Sequence, residues 1–150
     1  TGASAVVLAR RGFAVTAIDL SRRAVGRARR RAAAAGVTVR FLVGDLADWW
    51  RLGGSFGFFF DRGCYGAVRD RDAYLATLRR VTAPGALGLV LTGNADEPED
   101  PVGPPVLNER QLRDDFGGPF EVVRLRPFRF DPSGPDGRRY LGWSCLLRRR

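Results

Sequence analysis

Hydrophobic positions along most of the chain follow two patterns in turn, short apolar runs and stretches with helical spacing. Apolar runs of four to eight residues bounded by glycine or acidic residues are typical of buried strands. Such runs lie at residues 13–18, 37–43, 56–60 and 87–92. Capped segments with helical spacing lie at residues 3–11, 21–35 and 70–81. This alternation predicts an α/β protein with a mostly parallel sheet.

The last third of the chain has a different pattern. Residues 94–107 are rich in proline and acidic residues and predict a long loop, and residues 109–116 predict a short helix capped by Asn108. Residues 120–130 and 140–147 are extended runs with no room between them for a crossover helix, so they predict an antiparallel hairpin. Pro127 predicts a bulge or an edge position in its first strand.

Two acidic residues follow predicted strands directly. Asp19 ends the first strand, 17 residues after Gly2, and Asp45 follows the second strand after Gly44. The carboxyl ends of parallel strands meet at one edge of a sheet, where ligands bind. A carboxylate at this distance from a glycine turn is typical of a site for a nucleotide ribose. The spacing therefore predicts a nucleotide-cofactor site.

The length, composition and charge of the chain bear on the number of domains and on nucleic acid as a partner. A chain of 150 residues with 45% hydrophobic residues is long enough for one α/β domain and too short for two, so residues 1–150 are predicted to form a single domain. The net charge is +9, and all 25 basic residues are arginine, which GC-rich coding produces without selection for a partner. From composition we therefore do not expect nucleic acid as a partner.

Cysteine usage and hydropathy bear on compartment and metal binding. Cys64 and Cys145 have no C-x-x-C spacing, and the chain has no histidine, so we expect neither a metal site nor a disulfide framework. No run approaches the ~18 apolar residues of a membrane span. Reduced thiols and a cytoplasmic location are expected.

The start of the chain predicts an N-terminally truncated fragment. There is no methionine, and Thr1 and Gly2 have the sequence of the end of a glycine turn. A first strand and the leading glycines are then missing, and we expect these 150 residues alone not to bind a cofactor. The DNA upstream of Thr1 tests whether the chain is a fragment, because it should then encode an apolar strand that ends in an acid and a G-x-G.

The order of elements and several motifs resemble those of the class I S-adenosylmethionine-dependent methyltransferases. These enzymes have a Rossmann-like fold with helices on both faces of the sheet and a terminal antiparallel hairpin. Thr1-Gly2 resembles the end of the family's G-x-G-x-G loop, and Pro84-Gly85 resembles the turn before its fifth strand. D-R-G-C-Y at 61–65 and L-x-x-x-F at 112–116 are similar to the thiopurine S-methyltransferase and tellurite-resistance-type branch.

The resemblance implies S-adenosylmethionine as the cofactor and methyl transfer to a small-molecule acceptor. The residues that it implies for cofactor binding are Thr1, Gly2, Asp19, Leu20, Asp45 and Leu46. The residues that it implies for the substrate side are Arg62, Cys64 and Tyr65. Asp61 is a candidate base, with bonding to the backbone of its own loop as the alternative.

One departure from the branch concerns the base. The branch shows D-x-G-C-F-H where this chain has Gly66 in the place of the histidine. A soft thiol nucleophile with a pKa near ~8.5 needs little help from a base, so a thiol or similar acceptor fits this chain best.

Three alternatives stay open at this point. An NAD-dependent dehydrogenase would use the same glycine turn and Asp19. A nucleic-acid cytosine methyltransferase would use Cys64 as a covalent nucleophile, although such enzymes usually present proline where this chain has Gly63. An inactive truncated gene product is the third. Neither the methyl acceptor nor the oligomeric state follows from the sequence.

Overall fold

The computed structural model describes residues 2–46, 54–97, 105–131 and 137–150. The helices in these ranges are α1 (Ala3–Arg10), α2 (Arg22–Ala34), α3 (Cys64–Ala67), α4 (Arg71–Val81) and α5 (Glu109–Gly117). The strands are β1 (Thr16–Asp19), β2 (Arg40–Val43), β3 (Phe56–Arg62), β4 (Thr82–Asn94), β5 (Val106–Leu107), β6 (Phe120–Arg129) and β7 (Leu141–Arg149). The predicted α/β fold is confirmed.

Three helices begin at the capping residues that the sequence predicts. The Ser21 hydroxyl accepts a hydrogen bond from the Ala24 backbone N–H at 3.2 Å, and the Asp70 carboxylate accepts one from Ala73 at 2.8 Å. Asn108 forms a full capping box with Gln111. These bonds satisfy backbone donors that have no partner inside the helix.

The chain divides into two compact units, Thr1–Trp50 and Arg51–Arg150. In the first unit, β1 pairs with β2 in parallel, from Thr16 beside Arg40 to Asp19 beside Val43. Its core joins small residues of both helices to one aromatic ring, and comprises Ala5, Val6, Val25, Ala28, Ala32 and Phe41. The single domain predicted for residues 1–150 stays a prediction.

In the second unit the strand order is β3-β4-β7-β6, with β5 paired to β4. β3, β4 and β5 run parallel, whereas β7 is antiparallel to both β4 and β6. The predicted terminal hairpin is therefore confirmed. Among the described residues β6 pairs with β7 only, which gives Pro127 the edge position that its missing N–H requires.

Four predicted bounds or turns are wrong. β1 and β2 begin at Thr16 and Arg40, later than predicted, because only residues from there onward pair with each other. Pro84-Gly85 lies inside β4 and is not a turn before it. The strand is irregular there, since its pairing with β3 shifts in register between Phe56 and Phe58, and Gly85 has φ 77°. The predicted loop 94–107 contains the end of β4 and all of β5. Residues 98–104 of that loop lie outside the described residues.

The core of the second unit is aromatic. The ring centroids of Tyr65 and Tyr74 are 5.3 Å apart, and those of Tyr65 and Phe116 are 4.7 Å apart. Phe120 continues the cluster at 6.2 Å from Phe116. These contacts join α3, α4 and α5 to the start of β6. No helix among the described residues is long and apolar enough to cross a membrane.

Candidate functional site

The two acidic residues of the first unit follow neighbouring strands at the same edge of the sheet. Asp19 is beside Val43 in the parallel register, and the Gly44 N–H donates a hydrogen bond to the Asp19 carbonyl at 3.1 Å. Asp45 comes directly after Gly44. The strand pairing thus places both acids after the carboxyl ends of adjacent parallel strands, as predicted from their positions in the sequence.

The Asp19 side chain has one oxygen in use and one available. Its Oδ1 accepts a hydrogen bond from the Ser21 backbone N–H at 2.8 Å, which fixes the turn into α2. Its Oδ2 has no hydrogen-bond partner within the described part of the chain. A carboxylate accepts up to about four hydrogen bonds, so Asp19 can still bind a ligand hydroxyl.

Gly2 lies against the same edge and has no room for a side chain. It has φ 78°, and a Cβ at this position would lie 2.5 Å from the Ala28 Cβ and 2.9 Å from the Ala28 Cα. A small cavity of about 50 Å³ has both Gly2 and Asp19 in its wall. Its other lining residues are Ala17, Ile18, Ala24, Val25, Ala28 and Phe41.

The remaining predicted cofactor residues differ in exposure. Leu20 is 69% exposed next to Asp19, whereas Asp45 and Leu46 are half-buried after the end of β2. Thr1 lies outside the described residues. The structure thus brings Gly2 and Asp19 to one cavity wall, and the roles of all these residues in binding stay predictions.

In the second unit, Asp61 bonds to the backbone of its own loop. Its Oδ1 accepts a hydrogen bond from the Cys64 N–H at 2.8 Å, and its Oδ2 accepts one from the Tyr65 N–H at 3.0 Å. The Tyr74 hydroxyl donates a third bond to Oδ2 at 2.5 Å. These contacts agree with the backbone-bonding alternative, and a role for Asp61 as a base stays a prediction.

Burial of the Asp61 side chain, which is 7% exposed, raises the pKa of its carboxyl above the ordinary value, and the three hydrogen bonds oppose that rise. Burial also raises the pKa of the Tyr74 hydroxyl far above its ordinary value, and the Asp61 carboxylate adds to this shift. Tyr74 therefore stays a hydrogen-bond donor to Asp61 over the whole physiological pH range.

Tyr65 is the buried member of the predicted substrate-side residues, and its role toward a substrate stays a prediction. Its side chain is fully buried between Tyr74 and Phe116, and its hydroxyl donates a hydrogen bond to the Asp115 carboxylate. Arg71 completes this group, since its guanidinium lies 3.3 Å from the same Asp115 oxygen. The aromatic ring of Tyr65 is drawn into the core because α4 and α5 pack over the loop.

Cys64 and Arg62 are the exposed members of the D-R-G-C-Y loop. The Arg62 guanidinium lies over the Phe130 ring, 5.6 Å from its centroid. Gly66 is confined: a Cβ there would lie 2.9 Å from the Thr92 hydroxyl oxygen and 3.2 Å from the Pro105 carbonyl oxygen. The position that the resemblance aligns with a histidine therefore has no space for one.

Sequence reasoning missed Tyr74 and Asp115 as supports of this loop. Tyr74 lies in the segment whose spacing predicts a helix over residues 70–81, and its bond to Asp61 spans 13 positions. Asp115 is 50 positions from Tyr65. Each residue lies on a helix with no local signal for the contact, although Asp115 is adjacent to Phe116 of the L-x-x-x-F motif.

Comparison with known proteins agrees with this geometry. The family model described as a methyltransferase domain matches residues 1–85, more than half of the 150-residue chain. A structure from work on the conversion of a disulfide bond into a thioacetal group during echinomycin biosynthesis is 25% identical, with a TM-score of 0.84. That similarity covers 99% of this chain and 71% of the other.

Two further solved structures share the fold. An S-adenosylmethionine-dependent methyltransferase from Methanosarcina mazei is 19% identical over 97% of this chain and 86% of its own, with a TM-score of 0.81. TehB from Haemophilus influenzae is 13% identical over 95% of this chain and 52% of its own, with a TM-score of 0.74. With its Rossmann-like α/β fold and a domain match over more than half of its length, the chain belongs to the methyltransferase domain family, in the class I fold.

Proposed function

We propose that this protein is a cytoplasmic enzyme that transfers a methyl group from S-adenosylmethionine to a small-molecule acceptor. The observation that carries the proposal is the Asp19 carboxylate, which has an oxygen available for a ligand hydroxyl and shares a cavity wall with Gly2. Both residues lie in the part of the chain that the methyltransferase domain matches. In nucleotide-binding folds of this kind, an acid at the end of a strand binds the ribose, and a glycine turn binds the group attached to the ribose.

The residues present fit such a cofactor. Gly2 lies so close to Ala28 that only a residue without a side chain fits there. Helix α1 begins at Ala3, and the backbone N–H groups of its first turn can donate hydrogen bonds to a carboxylate. Asp19 and Leu20 would hold the ribose, and Asp45 and Leu46 would contact the base. A volume of about 50 Å³ holds only a few water molecules, so most of the ligand would lie outside the cavity.

The methyl donor supplies an activated methyl group, and the protein's own residues position and shield it. On the acceptor side, the exposed Cys64 and Arg62 would line the approach, with the loop shaped by the three hydrogen bonds to Asp61. Asp61 would act in this way as a positioning residue.

A thiol or another soft nucleophile is the acceptor class that we propose. The chain has no histidine, and Gly66 has no room for one, so a hard nucleophile would lack the histidine base of the branch. The relative from echinomycin biosynthesis is named for a conversion at sulfur, which supports the same class. Membership of the thiopurine S-methyltransferase and tellurite-resistance-type branch is part of this proposal and rests on the D-R-G-C-Y and L-x-x-x-F motifs.

The experiment is a calorimetric titration of the complete reading frame that contains this chain, with S-adenosylmethionine and with NAD. We expect Asp19→Ala to weaken S-adenosylmethionine binding by ~1.5–3 kcal/mol, roughly ten- to a hundredfold in Kd, because a charged hydrogen bond is lost. Asp72→Ala, at an exposed position of α4, is the matched control and should bind as the parent does.

Asp19→Asn keeps an acceptor oxygen for the Ser21 N–H and separates ligand binding from the turn that begins α2. Unchanged affinity in Asp19→Ala would remove this residue from the site. Tight binding of NAD in place of S-adenosylmethionine would instead support a dehydrogenase, and a folded protein that binds neither would support an inactive gene product.

A further inference from the structure

Helix α2 carries a strip of arginines that lies on the side of the helix opposite the core. At about 100° per residue, Arg23, Arg27 and Arg30 fall within an arc of ~60°, while Val25, Ala28 and Ala32 are the buried positions of the other side. We call Arg23, Arg27 and Arg30 the arginine strip. All three are exposed.

The sequence around the arginine strip contains no acidic residue. Residues 20–44 contain seven arginines and neither aspartate nor glutamate. Among the described residues, the strip arginines form no ion pair, whereas the neighbouring Arg29 donates a hydrogen bond to the Phe41 carbonyl oxygen at 3.1 Å. Like charges three and four positions apart destabilise a helix, so an unbalanced strip has a cost.

Helix α5 shows that the arginine-rich composition does not by itself produce such a strip. Its Arg113 pairs with Glu109 at 2.8 Å, and its Arg110 pairs with Asp114 at 3.4 Å, each four positions apart. GC-rich coding acts on the whole chain, yet both arginines of α5 are ion-paired, whereas the three of the arginine strip form no ion pair within the described residues. The imbalance is therefore a local property of the arginine strip.

The chemistry of the exposed face of α2 selects the kind of partner. Its exposed positions are arginine and alanine only. Such a face lacks the aromatic and large apolar side chains that form the centre of protein interfaces, and the amide side chains that read adenine edges. Arginine forks bind phosphate oxygens in a bidentate way, which needs neither.

We propose that the arginine strip binds the phosphate backbone of double-stranded nucleic acid without sequence preference. This departs from the expectation drawn from overall composition, because it rests on where the charges lie and how they are paired. The inference goes beyond the proposed methyl transfer and does not depend on which acceptor is methylated. The helical rise places Arg23 and Arg30 ~10 Å apart along the axis, so the strip can contact successive phosphates.

The test is fluorescence anisotropy of a labelled DNA duplex of two helical turns, titrated with the complete reading frame between about 50 and 200 mM salt. Replacing all three strip arginines by glutamine should reduce the slope of log Kobs against log salt by ~2.7, since each lost phosphate contact removes about 0.9. Glutamine is a good helix former, and a thermal melt checks that the variant is folded. Replacing the three by lysine should retain most of the slope.

The matched control removes the same charge elsewhere. Arg110, Arg113 and Arg148 are exposed and each is ion-paired, so their replacement by glutamine lowers the net charge equally but should leave the slope unchanged. Equal loss of slope in both triple variants would show that net charge alone drives binding and would overturn the proposal. Absence of binding by the parent at low salt, or tighter binding to polyglutamate than to the duplex, would also overturn it.

Discussion

The hydrogen bond between Tyr74 and Asp61 gives a direct test of what holds the D-R-G-C-Y loop. Tyr74 is 1% exposed and Asp61 is 7% exposed, so water cannot replace the bond when it is broken. Tyr74→Phe removes only the hydroxyl and leaves the ring in contact with Tyr65, whose centroid is 5.3 Å away. The change therefore isolates one bond of 2.5 Å to a carboxylate.

We expect Tyr74→Phe to lower the free energy of unfolding by ~1.5–3 kcal/mol, the range for hydrogen bonds to charged groups. For a chain of this size, each kcal/mol lowers Tm by roughly 2–4 °C, so the melting temperature should fall by about 3–12 °C. Urea denaturation followed by tryptophan fluorescence measures the first quantity, and a thermal melt measures the second.

Tyr65→Phe is the matched comparison. Its hydroxyl also donates to a carboxylate, but Asp115 has a side chain 29% exposed and a second partner in Arg71. Solvent and Arg71 can take over part of the lost bond, so we expect a smaller cost, ~0.5–1.5 kcal/mol. If Tyr74→Phe costs no more than Tyr65→Phe, the loop is held by something other than the buried carboxylate, and the role given to Asp61 is wrong.

Two further predictions concern the same loop. If Cys64 has the proposed role of lining the acceptor's approach without forming a covalent intermediate, Cys64→Ser should leave methylation of a small thiol within about tenfold of the parent rate. A protein–nucleic acid adduct seen by mass spectrometry in the parent would contradict this. Because burial raises the folded pKa of Asp61 above its unfolded value of about 3.9, the stability linked to this group is fully present below that value and is lost as pH rises through the folded pKa. Urea titrations across this acidic window should show a fall in the free energy of unfolding with rising pH that is absent in Asp61→Asn, and an unchanged profile in the variant would assign the dependence to other groups.

Much of the fold could be predicted because its signals are local. The apolar runs, the helical spacing and the caps Ser21, Asp70 and Asn108 act within a few residues, so the order of helices and strands follows from the sequence. The placement of Asp19 and Asp45 at one edge also followed, since parallel strands align their carboxyl ends. The terminal hairpin followed from the short connection between its strands.

Only the tertiary structure decided which residues of the site face solvent and which support it. Tyr65 belongs to a motif that predicts a substrate-facing loop, but α4 and α5 bury its side chain, and its hydroxyl donates a hydrogen bond to Asp115 on α5. Asp61 receives its partners from its own loop and from Tyr74 on α4, a pairing that depends on how the helix packs on the sheet. The same holds for Gly66, whose lack of space comes from Thr92 and Pro105. Spacing along a chain determines which elements form, whereas burial and hydrogen-bond partners depend on contacts between residues far apart in sequence, and these contacts exist only in the folded protein.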